Sequence, residues 1–220
     1  AQGNVQRIVG THVDISGRKS AQVELEHSNL NLERRVDERT RVLTALNDVA
    51  AVVSRSLDLL EISGSALEKT MEAAGVESGA AYRLDERSQE LVLVAHRGLS
   101  PQFVSLTSRL PLRTALAGKQ FDTEHPLAWS LAEYPEGELK QWIREEGLEL
   151  VVGVPVTSKG RMLGAIVIST RSPRSLRAEE CTLLMAVGRQ VGLAVENASL
   201  FQLERARHGE AERRRVVAEG

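Results

Sequence analysis

The stretch VGVPVTSKGRMLGAIVIST, residues 152–170, contains two apolar runs on either side of a short polar connection. Val, Ile and Thr are enriched in strands, and a polar interruption that contains Gly is typical of the turn between two antiparallel strands. The pattern therefore predicts a hairpin with strands at residues 148–157 and 162–170. The connecting residues are Ser158, Lys159, Gly160 and Arg161.

A second hairpin is predicted upstream, with strands at residues 79–84 and 90–96 and the polar turn 85–88 between them. An amphipathic helix is predicted before it, over residues 61–74, and Gly75 marks its end.

The middle of the chain, residues 99–147, contains four prolines and is predicted to be irregular, with short helical pieces at 113–117 and 138–145. A last helix is predicted to begin at Ser175. Its apolar residues are spaced three and four apart, as on one face of a helix: Leu184, Val187, Val191, Ala194, Ala198 and Phe201.

Apolar residues also recur every seven positions near the start of the chain. One series contains Leu25, Leu32, Leu46, Val53 and Leu60, with Arg39 in its remaining slot, and the other contains Asn29, Val36, Leu43, Ala50 and Leu57. Taken as d and a positions, they give about five heptads and a helix of about 50 Å.

Polar residues cover the rest of this helix as far as Arg41, so a partner chain is needed to cover Leu32 and Val36. A buried Asn at an a position pairs with its mate in a parallel, in-register dimer. We therefore predict a homodimeric seam of Leu25, Asn29, Leu32, Val36, Leu43 and Leu46. The alternative is a single long helix packed on its own domain, which we expect to hold in part beyond Leu46.

Composition excludes several classes of function. Lys and Arg number 28 against 30 Asp and Glu, and aromatic residues make up only 3% of the 220 residues, so neither nucleic acid nor an anionic lipid surface is an expected partner. No apolar run approaches the roughly 20 residues that span a bilayer, so no membrane insertion is expected. One cysteine, Cys181, excludes an internal disulfide and fits a reducing, cytoplasmic location.

No catalytic motif is found, because the sequence has neither a Gly-x-Ser-x-Gly elbow nor a glycine-rich phosphate loop. No catalytic residue and no metal site are therefore predicted. His208, on the last helix, is flanked by Arg207 and Gly209 rather than by the acidic residue that usually follows a phosphorylated histidine.

Candidate pocket residues come mainly from the irregular middle. Trp129, Tyr134 and Trp142 either line a ligand pocket or fill a core beneath a long loop. His125 is placed where a pocket could form, and a haem or metal ligand is the less favoured interpretation of it. The candidate pocket set is Tyr82, Arg113, Phe121, His125, Trp129 and Trp142, with no cofactor expected and the ligand unknown.

Residues 43–203 resemble a GAF domain. The similarity lies in the strand pair quoted above and in LLMAVGRQVGLAVENASLFQ, residues 183–202, which resembles the closing helix of the family and contains Glu196, Asn197 and Ala198. GTHVDISGRKSAQVEL, residues 10–25, resembles the C-terminal end of a PAS domain. The tail AERRRVVAEG, residues 211–220, resembles a helix that leads into another signalling domain.

This resemblance implies an α+β fold, with an antiparallel sheet of five or six strands, helices on one face and a loop-rich ligand side on the other. It also implies a strand near residues 119–122. The expected division is a PAS end at 1–19, a coiled-coil signalling helix at 20–45, the GAF domain at 46–203 and an output helix at 204–220. The long helices at both ends are expected to form a parallel dimeric coiled coil, and the chain is expected to be a piece of a longer protein.

The function implied is a regulatory input and relay domain of a cytoplasmic sensor, most often a histidine kinase of a two-component phosphorelay. The alternatives are an input domain of a diguanylate cyclase and a dimerisation spacer without ligand. The expected partners are a second copy and a kinase or second sensory domain in the same chain. The chain lacks the Asn-Lys-Phe-Asp-Glu signature of cyclic-nucleotide-binding relatives, a pocket cysteine for a bilin, and the several cysteines that methionine sulfoxide reduction needs.

Overall fold

The computed structural model describes residues 27–29, 32, 40, 58–119, 122 and 124–218, with side chains beyond Gln202 described only at Arg205. The chain divides into two compact units, Ala1–Arg41 and Val42–Gly220. In the first unit the described residues are helical and exposed, and the Leu32 side chain is 53% exposed. The predicted PAS end and four seam residues lie outside the described residues: Leu25, Val36, Leu43 and Leu46.

The second unit contains five helices and six strands among its described residues. In chain order they are α1 (Leu59–Ala74), β1 (Ser78–Asp85), β2 (Glu90–Arg97), α2 (Pro101–Leu106), β3 (Arg109–Pro111), α3 (Leu112–Ala115), β4 (Leu127–Ser130), α4 (Glu138–Glu145), β5 (Leu150–Ser158), β6 (Arg161–Thr170) and α5 (Ala178–Ala218). Within the described part of the chain, no helix is both long enough and apolar enough to cross a bilayer.

The strands form one antiparallel sheet in the order β3-β2-β1-β6-β5-β4. The two predicted hairpins, β1-β2 and β5-β6, form its centre, and Val154 pairs with Ile166 across the second. The expectation of an α+β fold with five or six antiparallel strands is therefore confirmed.

Two details of the prediction are wrong. Lys119 and Asp122 are not in a strand, while Gln120 and Phe121 lie outside the described residues. The additional edge strands are instead β3 and β4, and both lie in the stretch predicted to be irregular. The last helix begins at Ala178 rather than at Ser175. Arg177 is the residue that caps it, because the Glu180 carboxylate, three residues further on, accepts the Arg177 backbone N–H at 2.8 Å.

Side chains point alternately to the two faces of the sheet along its central strands, and apolar residues are buried on both faces. Val152, Val154 and Val156 of β5 face α1 and α5, whereas Val151 packs on the opposite side. The two long helices share one face, as expected. The opposite face also has helical cover, since Phe103 of α2 and the apolar side of α4 pack there.

Helix α1 has clear sequence signals at both ends. The Asp58 side chain accepts the Leu60 N–H at 2.9 Å, and Gly75 ends the helix at a φ of 61°, a left-handed conformation that favours glycine.

Helix α5 lies directly on the backbone of β5. A Cβ atom at Gly188 would lie 2.3 Å from the Pro155 carbonyl oxygen, and one at Gly192 would lie 2.0 Å from that of Thr157. Both distances are shorter than any non-bonded contact, so the close approach of this helix to the sheet requires glycine at the two positions.

Candidate functional site

An internal cavity of about 70 Å³ lies on the face of the sheet opposite α1 and α5. Ala80, Tyr82, Val151 and Val167 contribute to its floor from the strands. Its other walls come from α2, α4, β3, β4 and the connections between them. The side chains concerned include Leu99, Phe103, Leu110, Trp129, Tyr134, Leu139, Ile143 and Leu148.

The polar groups in this cavity are few and neutral. Tyr82 is hydrogen-bonded to the Thr107 side chain, and burial raises the pKa of Tyr82. Burial also raises the pKa of Tyr134 to about 12. Both phenols therefore keep their protons near neutral pH. Tyr134 is 6% exposed, and no buried side-chain polar atom among the described residues lacks a hydrogen-bond partner.

Trp129 lines both this cavity and a smaller one of about 50 Å³. The Trp129 ring packs 5.5 Å from the Tyr134 ring, centroid to centroid, at an interplanar angle of 53°. The Lys119 ammonium lies 4.8 Å from the Trp129 ring centroid, within the range of a cation–π contact. Trp129 is thus held on two sides.

A charged cleft of about 450 Å³ lies outside the inner cavity. The two share Leu110, Tyr134 and Leu139 as wall residues, so these three side chains separate buried space from open space. Three of the charged side chains that line this cleft, Arg109, Glu136 and Lys140, form ion pairs.

In this outer cleft, Lys140 is bound to Glu136 at 2.6 Å, and this contact lowers the pKa of Glu136. Arg109 contacts Glu90 at 3.2 Å. Arg113 is exposed and makes no ion pair with any described residue.

The structure distributes the predicted pocket residues over several places. Tyr82 and Trp129 line the inner cavity, while Arg113 and Trp142 line the outer cleft. The imidazole of His125 is 73% exposed and its Nδ1 lies 2.9 Å from Asp122 Oδ2. Neither the inner cavity nor the outer cleft includes His125 in its lining. Phe121 lies outside the described residues.

Sequence reasoning missed the aliphatic lining residues. Leu110, Leu139 and Ile143 carry no signal that separates a cavity wall from an ordinary core, although the amphipathic spacing of α4 places Leu139 and Ile143 on one face.

The described residues offer no obvious reactive centre. None of the side chains that line the inner cavity is charged, although Asp122 lines the smaller one, and no group of three or more His, Cys, Asp or Glu among the described residues is placed to hold a metal ion. Cys181 lies on α5, on the other side of the sheet, and burial raises the pKa of its thiol. An apolar cavity with a few neutral hydroxyls is suited to binding.

Glu196 connects α5 to the turn of the central hairpin. Its carboxylate accepts a hydrogen bond from Ser158 Oγ at 2.6 Å and lies 3.3 Å from Lys159 Nζ and 3.6 Å from an Arg161 nitrogen. These contacts, the Ser158 hydrogen bond first, lower the pKa of Glu196. Glu196 was noted in the sequence only as part of the family resemblance, and its three partners are separated from it by more than thirty residues.

The sheet therefore carries two long helices on one face and an apolar cavity on the other. The family model for the GAF domain matches residues 56–196, and the chain belongs to this family.

Known proteins agree with this assignment. The bacterioopsin transcriptional activator of Halobacterium salinarum is 26% identical over 201 residues, which cover 89% of this chain and 28% of the activator. The GAF domain of a protein described as a sensor histidine kinase of Pseudomonas syringae pv. tomato superposes with a TM-score of 0.58 at 16% identity, covering 80% of this chain and 99% of that one. A phycoerythrobilin-bound GAF domain from a cyanobacterial phytochrome gives a TM-score of 0.58 at 14% identity, covering 73% and 97% of the two chains.

The inner cavity does not fit a bilin in this arrangement. Pockets for drug-sized ligands enclose about 300 to 1,000 Å³, several times the volume of about 70 Å³ found here. Cys181, on α5, does not line the cavity and is not placed to attach a chromophore inside it.

Proposed function

We propose that this chain is a sensory input and relay segment of a cytoplasmic sensor histidine kinase in a two-component phosphorelay. A signal from an upstream PAS domain enters through the N-terminal helix, and the GAF domain transmits or modifies it. The GAF fold and the similarity to the domain from Pseudomonas syringae support this proposal. The Halobacterium relative shares only 28% of its length with this chain, so the output domain belongs to the proposal.

The observation that carries the proposal is that one strand, β5, contacts both the cavity and helix α5. Val151 of β5 lines the cavity, while Val152 and Val154 pack in the core shared with α5. Gly188 and Gly192 place that helix on the β5 backbone. A ligand that moves β5 must therefore move α5, because packed interiors transmit displacement rather than absorb it.

In this proposal the segment itself is not an enzyme, and phosphate transfer belongs to another domain of the parent. The segment acts as a homodimer through the heptad seam, with neither nucleic acid nor membrane insertion.

A second candidate is a regulatory domain of a transcriptional activator. The Halobacterium activator matches 89% of this chain, more than the GAF domain alone. An input domain of a diguanylate cyclase and a ligand-free dimerisation spacer are the remaining alternatives.

The test uses the full-length parent protein and labelled ATP. We expect acid-labile phosphohistidine to form outside residues 1–220, and Glu196→Ala to change its rate because the helix loses its contact with the hairpin. Glu179→Ala is the matched control, since Glu179 is exposed in the first turn of the same helix.

Three other results would replace the proposal. ATP-independent regulation of promoter binding would favour the transcriptional activator, and synthesis of a cyclic dinucleotide would favour the cyclase. Phosphorylation at the same rate in both variants would favour the spacer.

A further inference from the structure

We propose that Glu146 and Arg171 form a latch that couples helices α2 and α4, which wall the inner cavity, to the start of helix α5. This inference rests on the proposed function, because it names a way in which the position of those two helices is passed to the output helix of that proposal. It is a second connection, separate from the one through strand β5.

The latch lies where the connection between β6 and α5, residues 171–177, begins. Arg171 Nη2 lies 2.9 Å from a carboxylate oxygen of Glu146 and donates to the Gly98 carbonyl oxygen at 3.1 Å. The Arg171 backbone N–H donates to the Glu77 carboxylate at 2.7 Å. The first residue of the connection is therefore bound to the end of α4, to the residue after β2 and to the residue before β1.

The far end of the same connection is bound through Arg174. One Arg174 nitrogen donates to the Ala74 carbonyl oxygen at the end of α1, at 2.9 Å, and the other pairs with the Glu180 carboxylate in the first turn of α5. Glu180 also accepts the Arg177 backbone N–H at 2.8 Å. Because side-chain contacts fix this short connection near both ends, a displacement of Arg171 shifts the start of α5.

Glu146 follows the movements of the two helices that wall the cavity. Ile143 of α4 lines the cavity, and Glu146 ends the same helix three residues later. The Glu146 carboxylate also accepts hydrogen bonds from the backbone N–H of Ser100, at 3.0 Å, and from the Ser100 hydroxyl. Ser100 caps α2, whose Phe103 lines the cavity as well. A shift of α2 or α4 therefore displaces Glu146 relative to Arg171.

Burial makes the latch a contact with two discrete arrangements. The Glu146 side chain is 5% exposed, whereas that of Arg171 is 42% exposed. A buried carboxylate that loses its cationic partner keeps the full cost of its burial, so a partly separated pair is unfavourable. Glu146 is thus either paired with Arg171 or turned out to water. Discrete arrangements of this kind are what a signalling transition requires.

Hydrogen exchange in the 220-residue chain tests the coupling. Arg171→Gln removes the cation, and Glu146→Gln keeps the shape of the side chain while it removes the charge. The readout is the Cys181 amide, which donates to the Arg177 carbonyl oxygen at 3.1 Å in the first turn of α5. We expect each variant to accelerate exchange there about tenfold relative to amides of the central strands, the effect of one hydrogen bond to a charged group.

The two substitutions should not add, because both remove the same contact. The double variant should exchange at Cys181 within about twofold of the faster single variant. Arg171→Lys keeps the charge and should accelerate exchange less than Arg171→Gln. Glu145→Gln is the matched control at the exposed neighbouring position, and it should leave Cys181 exchange unchanged.

Three results would overturn the proposal. Acceleration by Glu146→Gln in α2 but not at Cys181 would show that Glu146 only holds α2 in place. Equal acceleration at all amides would show that the pair serves global stability alone. Full additivity of Glu146→Gln and Arg171→Gln at Cys181 would show that the two residues act on α5 independently.

Phosphorylation of the full-length parent separates failure of the latch from failure of the proposed function. If phosphohistidine forms and Glu196→Ala changes its rate while Glu146→Gln and Arg171→Gln do not, the domain relays its signal without the latch, and this inference is wrong. If Cys181 exchange responds as expected but the parent forms no phosphohistidine, the latch holds and the histidine kinase proposal fails.

Discussion

Individual residues connect parts of this domain that are far apart in sequence. Glu196 is the clearest case, because its side chain joins α5 to three residues of the hairpin turn, Ser158, Lys159 and Arg161. This side chain is only 12% exposed. Its pKa is lowered in the folded state from the ordinary value of 4.5, by the Ser158 hydrogen bond first and then by the two cations.

The stability that Glu196 contributes should therefore depend on pH in a definite direction. A carboxyl with a lowered folded-state pKa stabilises the protein above its unfolded pKa, and this contribution is lost as the pH falls through the folded-state value. We expect Glu196→Gln to lower the midpoint of thermal unfolding at pH 7. The difference from wild type should shrink as the pH falls below the ordinary value of 4.5.

The measurement is thermal unfolding by circular dichroism across pH 3 to 7, with Glu179→Gln as the control. A constant difference between wild type and Glu196→Gln over this range would show that the carboxylate charge does not matter.

At the scale of single elements, contacts between helix and strand depend on the absence of side chains. Helix α5 approaches β5 through Gly188 and Gly192. Helix α1 also contains a glycine, Gly64, but a Cβ there would meet nothing within 4 Å. The same residue type therefore has opposite roles on the two long helices.

Alanine substitution distinguishes these roles. We expect Gly192→Ala to lower the free energy of unfolding by about 1–3 kcal/mol, because its Cβ would overlap the Thr157 carbonyl oxygen. Gly64→Ala should raise it by up to about 1 kcal/mol, because alanine is the better helix former. Urea unfolding of both variants checks this, and stabilisation by Gly192→Ala would contradict the close packing of α5.

The short helix over the cavity depends on one carboxylate. Glu146 accepts hydrogen bonds from the backbone N–H of Ser100, at the start of α2, at 3.0 Å and from Arg171 at 2.9 Å, and its side chain is 5% exposed. Glu146 thus ties α2 to the end of α4 and to the segment after β6.

Glu146→Ala should cost about 2–3 kcal/mol of stability, since hydrogen bonds to a charged group are lost. We also expect Glu146→Ala to accelerate hydrogen exchange at the amides of Val104, in α2, and Thr107, just after it, more than at amides of the central strands. Glu145→Ala, at the exposed neighbouring position, is the control. Unchanged exchange in α2 would show that its packing through Phe103 suffices.

At the scale of the whole molecule, the chain is expected to act as a parallel dimer. Asn29 and Leu32 of the predicted seam are helical and exposed, as are the other described residues of the N-terminal unit, and the dimer stays a prediction. Replacing Asn29 by Leu should raise thermal stability and loosen the oligomeric state. Light scattering at micromolar concentration checks both proteins, and a monomeric wild type would contradict the dimer.

Signal transfer through that dimer should depend on rotational phase rather than length. Inserting seven residues after Glu33 adds one heptad and keeps the seam aligned, whereas inserting two turns the downstream seam by about 200°. In the full-length parent we expect the seven-residue insertion to keep signal-dependent output and the two-residue insertion to lock or abolish it. Output assayed with and without the upstream stimulus decides this, and equal regulation in both would make the helix a simple tether.

Local patterns in the sequence predicted the elements that have strong periodicity. The β1-β2 and β5-β6 hairpins and the two long helices all follow from apolar spacing and from Gly75 or polar turns. Strand β4 was missed because it has only four residues in a proline-containing stretch, and it forms by pairing Leu127–Ser130 with residues 150–153. Such pairing is non-local and leaves little trace in a window of sequence.

The sequence by itself determined the class of fold, the GAF family and the aromatic residue Trp129 as a pocket candidate. Only the tertiary structure decided that Trp129 lines two cavities, that Tyr134 lies between the inner cavity and the outer cleft, and that His125 lies on the surface. The physical reason is that a cavity is space left between packed side chains. The residues around it obey the same rule of apolar burial as any core, so its position depends on how distant segments pack and not on the pattern of any one of them.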